Sequence, residues 1–255
     1  MDYGLSGKVA LVTGTGSQNG MGKAIALTLA KEGCDIVSWD IDLAGAQQTA
    51  DAVKALGPQA AAFKADVTKM AEVDAAAKAS LAQFPRIDIL VNTAGGIALG
   101  GGSFFEQKGD TWQRDINLNV YGTMNVCRAI MPVMVARKYG KVVNFASIAA
   151  KTGGISSYSV AKAGVVTVTR GLASTYGPDN VNVNAIAPGV VETNFFAEIP
   201  PDRRKQMFAG MAERVPLRRL QTVEDIANAV AFLVSDVSRN ITGQCLQVDS
   251  GLVMY

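Results

Sequence analysis

The sequence predicts an α/β protein, a single-domain, doubly wound parallel sheet with helices on both faces. Three observations predict it. Short strand-like runs alternate with longer amphipathic segments along the whole chain, the pattern of parallel strands joined by crossover helices. Runs such as Val9 to Val12 and Ile87 to Val91 read as apolar on both faces, as strands covered from both sides must be. The first of these runs passes directly into a glycine-rich loop and then into a helix-like segment.

The elements follow in order. "KVALVT" is the first strand, and a helix follows at about 20 to 33. "CDIVSWD" precedes a helix at about 42 to 56, "AAAFKAD" one at about 69 to 84, and "IDILVN" one at about 110 to 138. "KVVNFAS" precedes a helix at about 157 to 177, "NVNVNAIAP" one at about 222 to 236, and "QCLQVD" is the last strand. No internal repeat or low-complexity linker interrupts them. A chain of 255 residues that is 49% hydrophobic can bury one large core, so one domain spanning 1–255 is expected.

Composition narrows the function. A formal net charge of +2 leaves no basic stripe for nucleic acid or an anionic membrane surface, and small molecules are the expected partners. The apolar runs are too short to span a bilayer, and "MDYGLSGKVA" lacks a secretory signal, so a cytoplasmic location is expected. Cys34, Cys127 and Cys245 are scattered without metal-ligand spacing and read as reduced, packed thiols. The chain has no histidine, which removes Ser-His-Asp and Cys-His nucleophile systems and His-ligated zinc. Acid–base chemistry must come from Tyr, Lys, Asp, Glu or Cys, and no metal is expected.

The stretch "TGTGSQNGMG", Thr13 to Gly22, carries Gly14, Gly16, Gly20 and Gly22 between strand and helix. Glycine lets backbone approach a ligand closely, and the helix N-terminus offers free N–H groups and a positive dipole end to a pyrophosphate. The stretch therefore reads as a dinucleotide site.

Taken together with "DV" at Asp66 and Val67, "NTAG" at Asn92 to Gly95, "NVYG" at Asn119 to Gly122, "YSVAK" at Tyr158 to Lys162, "PGVVET" at Pro188 to Thr193, and "ITGQCLQVDSG" near the end, this loop resembles the short-chain dehydrogenase/reductase family over essentially the whole chain. The resemblance implies a Rossmann fold. Three departures stand out. Five residues, Thr15 to Asn19, separate "TG" from the second glycine pair where relatives usually have three. Tyr158 follows Ser147 by eleven positions, about two fewer than is common, and "VDSG" replaces the more usual "VDGG".

Cofactor choice is readable from residues. Asp40 ends the second strand, where a carboxylate accepts from ribose hydroxyls and repels a 2′-phosphate; no Arg or Lys occurs between Thr13 and Gly22, so NAD is expected. Asp40 could instead cap the following helix, and Asp66 the helix beginning near Lys69. The resemblance assigns Gly14, Asn19, Gly20, Met21 and Gly22 to the cofactor loop. It gives adenine to Asp66 and Val67, and sets Asn92, Ala94 and Gly95 beneath the cofactor. It places Pro188, Gly189, Val191 and Thr193 at the nicotinamide.

Tyr158 and Lys162, four apart on a helix, project from one face, where a cation could lower the phenol from its ordinary pKa of about 10. A surface pair is the alternative. By resemblance Tyr158 is the general acid/base, Lys162 tunes it and binds the nicotinamide ribose, and Asn119, rather than Asn117, completes the set with Ser147. Ser147 also reads as a plain strand-end cap. The segment at about 194–220 is expected to be a substrate lid, with Phe195, Phe196, Ile199, Met207 and Met211 lining a pocket or packing on the domain. Arg203, Arg204 and Lys205 there either meet a carboxylate, sulfonate or CoA phosphate or form a solvated face.

The expected activity is interconversion of a secondary alcohol and a ketone. A 3-oxoacyl-thioester reductase and a catalytically silent dinucleotide-binding subunit are the alternatives. Relatives pair the helices at about 110 to 138 and 157 to 177 into dimers of dimers, which implies a homotetramer.

Overall fold

The computed structural model describes residues 2–97, 104–152, 155–193 and 199–254. Seven parallel strands form one sheet in the order β3-β2-β1-β4-β5-β6-β7: β1 Val9–Thr13, β2 Asp35–Asp40, β3 Ala60–Lys64, β4 Ile89–Asn92, β5 Gly140–Phe145, β6 Val181–Pro188 and β7 Cys245–Val248. The chain starts in the middle, walks outward to β3, and returns on the other side of β1 with β4. The loops leaving β1 and β4 therefore diverge, and the crevice between them at the carboxyl ends of the strands is where this architecture binds ligands.

Alternation along β1 divides the core. Ala10 and Val12 face a cluster with Ile25 and Leu29 of helix α1 (Met21–Lys31) and Ile226 and Val230 of α8 (Val223–Val234). Val9 and Leu11 face the opposite cluster, with Val73 of α3 (Met70–Gln83) and Ile130 of α5 (Gly122–Ala136). Successive strand side chains point to opposite faces, so one apolar run feeds both layers. Asp88, lodged in the apolar run before β4, is held by Arg86 and Arg137 and accepts from the Val9 amide.

The remaining helices are α2 Leu43–Lys54, α4 Gly109–Asp115, α6 Ser157–Tyr176 and α7 Pro201–Ala212. Two differ from expectation. The helix anticipated at about 110 to 138 is interrupted, α4 and α5 being joined by a π-helical turn at Ile116–Tyr121. Asn119 Nδ2 donates to the Asp115 carbonyl at 3.0 Å, so a side chain takes the acceptor that the Asn119 amide would hold in an α-helix. The expected lid contains α7, which starts at a proline as helix N-termini favour.

Candidate active site

The glycine loop is shaped by its neighbours. Gly14 has φ +73°, and its amide donates to Trp39 O at 2.8 Å. A Cβ at Gly22 would collide with the Gly14 carbonyl, so the start of α1 can rest on the strand end only without a side chain. Thr13 Oγ1 accepts from the Ala94 amide at 3.0 Å, which ties the end of β1 to the loop after β4.

Two cavities open along this edge. One, of about 650 Å³, runs past Gly14, Asp40, Asp66, Val67 and Gly95. The other, of about 320 Å³, is lined by Met21, Ser147, Tyr158, Lys162, Gly189 and Thr193. Thr93 borders both. The hydroxyls of Thr93 and Ser17 are buried there without a protein partner, as donors awaiting a polar ligand are. The glycine cradle and these two hydroxyls fit an extended ligand carrying phosphates and riboses. A third cavity, of about 630 Å³, lies behind Asn19 and Gly20, between α1 and α7.

Asp40 does not cap α2; that position belongs to Asp42, whose side chain accepts from Gly45 N. Asp40 instead accepts from Gly16 N at 2.7 Å and from Asp42 N at 2.8 Å. No basic side chain lines its cavity among the described residues. Asp66 folds its own turn, accepting from the Thr68 amide and hydroxyl, and the N-cap of α3 is Lys69, which makes no side-chain cap.

The catalytic candidates converge from three segments. Ser147 lies just beyond β5, where its Oγ accepts from Ala149 N at 3.2 Å, so it does cap a short turn. It also hydrogen-bonds Tyr158. Lys162 is 4% exposed, which ends the surface-pair reading. Its Nζ donates to Phe145 O at 2.7 Å and lies 5.6 Å from the Tyr158 ring centroid. Asn119, in the π turn, bonds both backbone groups of Gly96. A Cβ on Gly95 would crowd Asn119 Oδ1 and Lys162 Nζ, which places both against that glycine. Asn117 is turned to Gln113 at the surface.

The electrostatics correct one expectation. Burial pushes the Tyr158 phenol up; the Ser147 hydrogen bond opposes this and the Asp115 carboxylate adds to it. The Lys162 ammonium donates to the Phe145 carbonyl while lying 5.6 Å from the Tyr158 ring centroid. Burial in turn pulls Lys162 down to about 8, with Asp115 opposing. Burial also raises Cys34 and Cys127 to about 12, leaving them inert thiols.

Other expected residues point elsewhere. Asn92 turns its side chain into the sheet, donating to Asn144 Oδ1 at 2.9 Å, so it supports the strands rather than facing the cavities. Phe195 and Phe196 lie outside the described residues. Ile199 and Met207 line neither cavity, and Met211 lines a separate, smaller one of about 220 Å³ with Val215 and Leu252. Phe208, buried from α7, was not singled out from the sequence. Of the basic trio, Arg203 and Lys205 are exposed, while Arg204 turns in toward Glu192 at 3.8 Å.

Comparison with known proteins finds relatives along the whole chain. A family model described as Enoyl-(Acyl carrier protein) reductase matches residues 14–253. The chain is 39% identical over 253 residues to the (2S)-[(R)-hydroxy(phenyl)methyl]succinyl-CoA dehydrogenase subunit BbsD of Thauera aromatica, covering 99% of each. It is 34% identical over 250 residues to the 3-oxoacyl-[acyl-carrier-protein] reductase FabG of Escherichia coli (strain K12), covering 97% of this chain and 98% of that one. A solved 7α-hydroxysteroid dehydrogenase, complexed with NADH and 7-oxo glycochenodeoxycholic acid, superposes with a TM-score of 0.90 at 34% identity, covering 100% of this chain and 97% of that one.

Proposed function

The chain belongs to the short-chain dehydrogenase/reductase family, and on that premise we propose that it is an NAD-dependent oxidoreductase interconverting a secondary alcohol and a ketone, with Tyr158 as general acid/base. The observation that carries this is the hydrogen-bonded Ser147 and Tyr158 at one cavity, with buried Lys162 on the next turn of the same helix. NAD is favoured over NADP by Asp40, set in a cavity without a basic side chain among the described residues.

In this reading Gly14, Asn19, Gly20, Met21 and Gly22 hold the pyrophosphate at the start of α1. Asp40 takes the adenosine ribose, and Asp66 and Val67 flank adenine. Ala94 and Gly95 lie beneath the cofactor, with Pro188, Gly189, Val191 and Thr193 at its nicotinamide end. The nicotinamide, when bound, supplies the hydride acceptor or donor. Ser147 and Tyr158 would hold the substrate oxygen between two hydroxyls, where charge develops during the reaction. Tyr158 Oη gives its proton to a ketone in reduction and takes the alcohol proton in oxidation. The raised phenol is protonated at neutral pH, the form reduction requires. Lys162 carries a positive charge beside the nicotinamide ribose, and Asn119 fixes the Gly96 backbone at the cavity mouth.

A panel of secondary alcohols with NAD, followed by NADH absorbance, tests the assignment; no turnover alongside tight NAD binding would favour the silent-subunit reading. A second reading, an acyl-thioester-linked 3-oxo substrate, is favoured by the CoA and acyl-carrier-protein substrates in the names of two relatives. Acetoacetyl-CoA offered with NADH and with NADPH separates it. We further propose a cytoplasmic homotetramer; among the described residues no helix is long and apolar enough to cross a membrane.

A further inference from the structure

Asp115 belongs to none of the roles above, yet its position is a costly one for a carboxylate. It closes α4 with 1% of its surface exposed. A buried carboxylate weakens a protein unless hydrogen bonds or opposite charge compensate it. Ser157 Oγ donates to Asp115 Oδ2 at 2.5 Å, and Ser157 is the first residue of α6, directly before Tyr158. The Ser157 amide is held in turn by Gln107 Oε1 at 3.2 Å. The Asp115 carbonyl accepts from Asn119 Nδ2, so one residue touches both the catalytic asparagine and the start of the catalytic helix.

Its charge reaches further. Among the described residues, the groups facing Tyr158 and Lys162 from β5 and the turn beyond it are the Phe145 carbonyl and Ser147, and the group from the π turn is Asn119; all are neutral. Asp115, from α4, is the charged side chain that acts on both, and it raises the proton affinity of each.

We propose that Asp115 is a positioning residue for this reaction: its buried carboxylate anchors the first turn of α6 through Ser157 and serves as the counter-charge of the Lys162 ammonium. This rests on the proton-transfer roles given above to Tyr158 and Lys162. Burial alone drives Lys162 toward neutrality, and the carboxylate works against that, so the ammonium persists at neutral pH.

Asp115→Asn keeps the shape and an acceptor for Ser157 but removes the charge. A negative charge raises the pKa of a neighbouring acid, so its removal lowers both groups. The full chain without cofactor is titrated by tyrosinate absorbance, each protein being read against the same protein carrying Tyr158→Phe. The Tyr158 midpoint is expected to move to lower pH in Asp115→Asn and to stay near wild type in Asp115→Glu. Nitrogen NMR of the lysine side chains, with the Lys162 signal identified by its loss in Lys162→Met, should show the wild-type midpoint near about 8 falling in Asp115→Asn. Ser157→Ala retains the carboxylate and should leave both midpoints in place. Unchanged midpoints in Asp115→Asn, or equal shifts in Ser157→Ala, would overturn the proposal. Should Asp115→Asn fail to fold, Asp115→Ser carries the same expectation. These titrations use no substrate, so failure of the dehydrogenase reading would show separately, as wild-type turnover by Tyr158→Phe.

Discussion

The Gly16 amide donates to Asp40 Oδ2 at 2.7 Å, which ties the lengthened glycine loop to the end of β2. A Cβ at Gly16 would sit within 3 Å of that carboxyl group, so the contact also explains a glycine there. One carboxylate thus shapes the loop and lines the cavity proposed for the cofactor.

Cofactor preference follows from this double use. The expected preference is NAD over NADP by at least about tenfold in kcat/KM, equivalent to about 1.4 kcal/mol. Asp40→Ala should narrow the ratio and also raise KM for both cofactors, since Gly16 loses its acceptor. Equal efficiency of the wild type with both would defeat the NAD assignment.

Tyr158→Phe removes one hydroxyl and keeps the ring. Turnover should fall roughly 10²- to 10⁴-fold, the usual contribution of a general acid/base, while NAD affinity measured by calorimetry stays put. On the proposed function Lys162→Met reduces both, because one ammonium would then serve the proton transfer and the ribose.

The Lys162 ammonium also makes stability depend on pH. Its pKa is about 8 in the fold against 10.5 as the ordinary value, so between these two limits the unfolded chain holds more protons than the native one. Stability therefore rises with pH across that window. Thermal melts of the cofactor-free protein, referenced to Lys162→Met, should show wild type gaining relative stability from pH about 8 upward. A flat difference would contradict the buried-ammonium geometry.

Assembly can be tested at the groove between α5 and α6. It is about 900 Å³ and apolar, with Met131, Val135 and Leu172 in its walls. Tyr121 is 51% and Met124 44% exposed on it. A second copy packing there, within a twofold-symmetric homotetramer, would bury these side chains. Light scattering at micromolar concentration should report four chains, and Met124→Glu should shift the protein to smaller species. A wild-type monomer would rule this out.

Much of the fold was legible because its signals are local. Strand runs such as "KVALVT" and the helix at Val223–Val234, with Thr222 and Asp225 forming a capping box, depend on periodicity and on neighbours three or four residues away. The π turn was not legible, since 110 to 138 keeps a helical rhythm throughout and the widening appears only where Asn119 takes the Asp115 carbonyl. Lid packing was likewise open in the sequence: Met207, Phe208 and Met211 look alike along the chain, and only the docking of α7 buries Phe208.

The sequence by itself determined the doubly wound sheet, the glycine loop before α1 and the Asp40 carboxylate at the end of β2, because these are patterns local in the chain, while the set Asn119, Ser147, Tyr158 and Lys162 was nominated by resemblance to a family. Only the tertiary structure decided that Lys162 is buried and faces Phe145, that Asn92 supports the sheet, and that Arg204 alone of the basic trio turns inward. It alone also brought Asp115 beneath Ser157, across 42 positions of chain. An aspartate in a helix reads the same whether water or a buried serine lies beside it; the difference is the desolvation that packing imposes, and packing joins residues that the chain keeps far apart.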